Sequence, residues 1–256
     1  MKDGITIAGG DTAQPINTAR RVAVVARSAA GIHQPRFLDC GCGAGSYLPH
    51  FEALGWQVSG LEFLPEKIAA ARAAGLGEDK VVQGDLQALP FASESFDILL
   101  FNEVLEHVPS DEAALAEAHR VLKPGGLLVV FSPNRLYPFE SHGVLLKQQE
   151  QKVKVPVWTP FIPYIPLSVG RRFFHYWARN YWPHELRALV GRSGFTIQEA
   201  SYVWQTFEGI SGDRSGFLRL ARPALRKLSL LLERLPGLRA FGVSQYICAR
   251  KGVSGR

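Results

Sequence analysis

The stretch LDCGCGAGSY, residues 38–47, sets three glycines at alternate positions behind an acid. RFLDC before it reads as a short buried strand. SYLPHFEAL after it reads as a helix, with Pro49 in the first turn and Gly55 at the stop. A glycine-rich loop between strand and helix lets the backbone lie close to a ligand. The spacing is not that of the pyrophosphate loop G-x-G-x-x-G. Gly45 comes one residue early, and Ser46 holds the sixth place. Asp39 at the mouth would repel a pyrophosphate but can accept hydrogen bonds from a cationic or amino-bearing ligand. Cys40 and Cys42 bracket Gly41 and invite a metal or redox reading. Two thiols with no nearby partners make a poor zinc site, so they read as small fillers.

Outward from this loop the chain alternates. Residues 16–30 read as a helix, WQVSGLEF as a strand, PEKIAAARAAG as a helix closed by Gly75, and KVVQGD as a short strand. FDILLFN is apolar almost throughout, as in a central strand covered on both faces. Ser110 caps the helix DEAALAEAHRVL, KPGG turns the chain, and LLVVFSP is another buried strand. Strand–helix alternation predicts an α/β fold with a mostly parallel sheet and helices on both faces. Ligands of such sheets bind at the carboxyl ends of the strands. Glu62 stands there after the second strand, where a carboxylate can accept both hydroxyls of a ribose. Asp85 follows the third strand, where it can meet an exocyclic amine, and Asn102 ends the fourth.

In their order, these strand ends resemble the class I S-adenosylmethionine-dependent methyltransferases, over roughly Phe37 to Asn134. The acid-x-Gly-x-Gly-x-Gly motif is matched in full by Asp39, Gly41, Gly43 and Gly45. FDILLFNEVLEHVP and RVLKPGGLLVVFSPN look like the fourth and fifth strand blocks of the branch that methylates quinones and other small molecules. The resemblance implies a Rossmann-like sheet of seven strands and S-adenosylmethionine as cofactor. Asp39, the three glycines, Glu62, Phe63, Asp85, Leu86 and Asn102 would hold it. NEVL after the fourth strand is not the Asn-Pro-Pro-aromatic of base amino-methylating enzymes, and no cysteine follows a proline. Both features argue against nucleic acid as substrate.

NEVLEHV places Glu103, Glu106 and His107 at i, i+3 and i+4, one face if the segment is helical. Some relatives bind a divalent metal through Glu-x-x-Glu-His. The other reading is that Glu106 and His107 shape the cofactor pocket or bond loop backbone, with no metal. His142, in SPNRLYPFESHG, lies past the fifth strand on the substrate side. Histidine suits a proton acceptor near neutral pH, so His142 and His107 are the candidate catalytic residues, with Tyr137 and Glu140 as weaker ones in the same loop.

Residues 135–182 stand outside the sheet. VPVWTPFIPYIPLSVG lacks charge and RRFFHYWARNYW is densely aromatic, which suits a lid over a greasy or aromatic acceptor. PHELRALVGRSGF then reads as a helix, FTIQEASYVW as the sixth strand and SQYICARK as the seventh. Between these strands, in 214–240, Phe217, Leu218, Ala221, Leu225, Leu228, Leu232 and Leu235 recur at helical spacing among arginines. Pro223 should kink or restart that helix. It would lie in an anionic membrane surface, or pack on the lid or on a second subunit of a homodimer.

The 256 residues are expected to form one domain: a cofactor half at 16–134, the lid at 135–182, and the rest of the sheet with its basic insertion at 183–256. The net charge of +6 is concentrated at the end, where residues 214–256 hold ten Lys or Arg against one acid, Glu233. Three cysteines fit a reducing compartment. With no signal peptide and no apolar run that spans a bilayer, the expectation is a cytoplasmic protein, peripheral at a membrane if the basic helix binds one. Two functions follow: methyl transfer to a small-molecule or lipid-like acceptor, most simply at oxygen, or cofactor binding by a non-catalytic scaffold of the same fold. The glycine spacing disfavours a dinucleotide oxidoreductase.

Overall fold

The computed structural model describes residues 15–140, 142–147, 152–155, 159–208 and 216–253. Trp158, counted among the lid aromatics, and the side chains of Phe217, Leu218 and Arg219 lie outside the described residues. After helix α1 (Pro15–Ser28) come β1 (Arg36–Cys40), α2 (Leu48–Glu52), β2 (Gln57–Glu62), α3 (Pro65–Ala73), β3 (Val81–Gln83), β4 (Phe96–Asn102), α4 (Asp111–Val121) and β5 (Leu122–Pro133). The segment 135–182, expected to be a lid, carries β6 (Val144–Lys147), β7 (Lys152–Lys154), α5 (Leu167–Phe173) and β8 (Phe174–Tyr176). Then follow α6 (Pro183–Arg192), β9 (Phe195–Val203), α7 (Gly216–Arg234) and β10 (Ser244–Lys251).

Seven strands form one sheet in the order β3-β2-β1-β4-β5-β10-β9. The first five pair in parallel, and β10 runs antiparallel to both neighbours. Chain order reverses beside β1, between β1 and β4, which puts the switch point at the opening loop. Alternate residues of β4 enter two cores: Leu99 and Phe101 pack with Leu115 and Val190, while Ile98 and Leu100 pack with Val25 and Phe51. Both faces are covered, which is why FDILLFN has little polar alternation.

Two expectations are corrected. KPGG does not precede the fifth strand. It lies within β5, where the pairing with β4 jumps from Phe96↔Leu122 to Ile98↔Leu127 and Gly125 takes φ 77°. The extra residues are absorbed as a bulge that glycine tolerates. Pro223 does not restart α7, which runs through it from Gly216 to Arg234. The lid strands form a separate antiparallel sheet, β7-β6-β8, joined to none of the main strands.

Ser110 caps α4 as its sequence implies: its Oγ accepts from Ala113 N at 3.1 Å. Ser110→Ala should lower stability by about 1 kcal/mol, measured as a lower urea midpoint at unchanged slope.

Candidate functional site

The loop after β1 is shaped by its three glycines, all at positive φ: 77° at Gly41, 58° at Gly43 and 74° at Gly45. They are not equivalent. A Cβ on Gly41 would stand 2.5 Å from Val104 Cγ2, and one on Gly45 would strike Leu76. A Cβ on Gly43 meets nothing within 4 Å. Packing therefore demands Gly41 and Gly45, whereas Gly43 keeps open space over the loop.

Glu62 fastens this loop to the next strand end. Its Oε2 accepts from Gly43 N at 2.8 Å, and its Oε1 accepts from Phe63 N and Leu64 N at 2.9 Å each. Asp39 is buried at the end of β1, one strand away. Asp85 accepts from Gln87 N at 2.9 Å, and Asn102 Oδ1 accepts from the Arg21 guanidinium. Phe63 is 61% exposed, while Leu86 is buried in the core. The open space above Gly43 and the carboxylates at the ends of β1 and β2 fit S-adenosylmethionine: close backbone approach, plus acceptors for its amino and ribose hydroxyl groups.

The cysteines are fillers. Both are buried, and Cys42 Sγ takes the space over Gly60, 2.6 Å from where a Cβ there would stand. Burial, and then Asp39, push both thiols well above the usual range. Neither is a ready nucleophile or metal ligand at neutral pH.

Residues 103–109 correct the sequence reading. They form turns rather than a helix, and Glu103 takes φ 55°. Its carboxylate swings to Arg21 Nη2 at 2.7 Å and accepts from Ser244 Oγ. The face expected for Glu103, Glu106 and His107 therefore does not form. Instead Glu106, His107 and His142 present ligand-type atoms within 4.8 Å of one another. His142 Nε2 is 3.5 Å and His107 Nε2 3.9 Å from Glu106 Oε1, and the two rings meet edge to face at 5.1 Å.

Charge here is unevenly spread. Burial raises the Glu103 carboxyl, but Arg21, His142 and the hydrogen bonds from Ser244 and Arg21 together outweigh it, and Glu103 lies below its ordinary value. Burial and the Glu103 charge push Glu106 well above the carboxylate range. Burial lowers His107, and lowers His142 to about 4. Burial thus disfavours charge on all three members of the cluster. His107 Nδ1 lies 3.3 Å from the Trp177 carbonyl, which can only accept, so that nitrogen carries the proton and Nε2 is left as an acceptor.

A cavity of about 430 Å³ opens here, walled by Glu106, His107, Phe174, Tyr176 and Trp177, with Arg171 among the residues on the lid side. His107 lines it and His142 does not. Tyr137 and Glu140 stand further back. Burial raises the Tyr137 hydroxyl, and Glu140 accepts from His142 N and Asn180 Nδ2.

The residue that sequence reasoning missed is Arg21. Its trace was faint: Thr18, Arg21 and Val25 share the buried face of α1.

Residues 38–130 match the family model described as a methyltransferase domain. A ubiquinone biosynthesis O-methyltransferase of Azorhizobium caulinodans is 30% identical over 189 residues, 72% of this chain and 68% of that one. The chain belongs to the class I S-adenosylmethionine-dependent methyltransferases. It shares 38% identity over 104 residues with a namesake from Xanthomonas oryzae pv. oryzae, a match spanning 39% of this chain and only 44% of that relative's length. An S-adenosylmethionine-dependent methyltransferase from Mesorhizobium loti shares its fold, with a TM-score of 0.57 at 19% identity over 90% of this chain and 96% of that one. As a methyltransferase, the protein uses S-adenosylmethionine as its cofactor, and the scaffold and oxidoreductase readings recede.

Two outcomes are expected of the loop. Gly43→Ala should weaken S-adenosylmethionine binding at least tenfold by calorimetry and lower the melting temperature only through the strain of its positive φ, while Gly41→Ala, which adds a clash with Val104, should lower it further. Iodoacetamide at neutral pH should leave Cys40 and Cys42 unmodified in the native methyltransferase and label both in denaturant, as mass spectrometry of the peptides would show.

Proposed function

We propose that this methyltransferase transfers a methyl group to a hydroxyl of a small, apolar or lipid-like acceptor held under the lid. The observation that carries the reading is His107. It is oriented through Nδ1 by the Trp177 carbonyl, offers Nε2, and lines a cavity whose walls combine Phe174, Tyr176 and Trp177 with Lys147, Arg171 and Arg179. Such a cavity suits a ring or chain bearing one polar group. The ubiquinone O-methyltransferases among its relatives act at oxygen by name, which supports the same choice here.

S-adenosylmethionine, when bound, supplies a methyl group already activated on a sulfonium. The protein's own share is to hold the acceptor, exclude water and take its hydroxyl proton. In the proposed arrangement His107 Nε2 receives that proton. Burial and the Glu103 charge disfavour charge on Glu106, and His142 packs behind it.

The test is a labelled-methyl assay on fractionated cell extracts, lipid fraction included, followed by His107→Ala on the acceptor found. The variant should lose about 100-fold in kcat, a typical share for a general base, while S-adenosylmethionine affinity is unchanged. Product methylated at nitrogen or carbon, or a variant with full activity, would refute the reading.

The cluster also favours a second reading. Glu106, His107 and His142 suit a divalent cation that would polarise the hydroxyl. The base reading expects chelation by EDTA to leave turnover unchanged. Activity lost to EDTA and restored by Mg²⁺ or Mn²⁺ would select the cation instead.

A further inference from the structure

Six of the fourteen large apolar side chains exposed among the described residues lie between Leu220 and Phe241. That concentration sets α7 and the turn after it apart from the rest of the surface. At about 100° per residue, Leu220, Leu228, Leu231 and Leu235 fall within an arc of about 80°. Leu220 is 83% exposed and Leu231 55%. The opposite side of the helix packs on the body: Ser229 is buried, and Leu225 and Leu232 are half-buried. Sequence spacing merged two stripes. Ala221, Leu225 and Leu232 face the protein, whereas Leu228 and Leu235 join Leu220 and Leu231 on the outside.

The polar neighbours of the outer stripe are cationic. Lys227 and Arg234 flank it, and Arg239 follows in the next turn, all exposed. Glu233 is the only acid in α7, and it is engaged inward by Arg20 and by Trp204 N at 2.8 Å. No helix among the described residues is long and apolar enough to cross a membrane. The remaining geometry is that of a helix lying in the plane of a surface.

We infer that α7 and residues 235–241 dock the methyltransferase on an anionic lipid surface, leucines inserted at the headgroup boundary and Lys227, Arg234 and Arg239 among the phosphates. A second copy is the poorer occupant. A two-fold contact would set each stripe against itself and bring these cations onto their own counterparts. A lipid surface with anionic headgroups satisfies the leucines and the cations together.

Sedimentation of the full chain with phosphatidylcholine–phosphatidylglycerol vesicles tests this, with pure phosphatidylcholine as the comparison. The protein should partition to the anionic vesicles and be released by high salt. Leu228→Glu with Leu231→Glu should cut partitioning at least tenfold. Lys227→Glu with Arg234→Glu should cut it about tenfold or more. All four side chains point outward, so circular dichroism and melting temperature should be unchanged in both variants. The inference is overturned if the unmodified protein stays in the supernatant, if neither variant alters partitioning, or if sedimentation velocity shows a dimer that the leucine variant dissolves. None of these readouts depends on the acceptor or on turnover.

Discussion

The arrangement of the site depends on one buried cation. The Arg21 guanidinium lies under the sheet's carboxyl edge and donates to Asn102, to Glu103 and, at 3.1 Å, to Ser244. It also sits over the Phe131 ring at 4.8 Å. These contacts join α1 to β4, β5 and β10. A buried charge is tolerated only when paired and hydrogen-bonded, and Arg21 meets that condition by drawing Glu103 away from the cavity. Glu106 is then left with no cation of its own. Removed from water and near the Glu103 charge, its carboxyl is pushed well above the carboxylate range. Where Arg21 spends its charge thus shapes the electrostatics around Glu106.

The division between what the sequence made legible and what it hid follows the range of the forces. Strand β4 and the LLVVFSP part of β5 were legible because two-sided burial writes itself as an apolar run. The loop was legible because positive φ and close approach require glycine at set positions. Ser110 was legible because a cap is a local hydrogen bond. The turn at Glu103–His107 was not. Its spacing suits a helix, and what bends it away is Arg21, 82 residues earlier in the chain. The same holds for α7. A helical period reveals apolar positions but not which stripe the body covers, since that depends on β9 and the turn packed beside it.

His142 shows how a residue can be placed correctly while its role shifts. Its position past the fifth strand does bring it to the site, beside Glu106. Yet burial that lowers it to about 4 makes it a weaker proton acceptor than a partly exposed imidazole. His107 gains what His142 lacks: an opening to the cavity and a backbone carbonyl to fix its tautomer.

That carbonyl belongs to the lid, and this ties the candidate chemistry to the acceptor's enclosure. Besides the Trp177 contact, Arg179 N donates to Glu106 O at 3.2 Å, and Arg179 Nη2 donates to the Pro109 carbonyl at 2.5 Å. Tyr181 Oη donates to Asp111 at 2.9 Å. Four consecutive attachments stitch the lid's exit, residues 177–181, to the turn that bears Glu106 and His107. The turn has its own bond from His107 N to Val104 O at 3.0 Å, and these attachments add the contact that orients the imidazole. A lid that enclosed the acceptor without this seam could exclude water but would leave His107 free to rotate. In the proposed reading, residues 177–181 orient His107 through the same segment that walls the cavity.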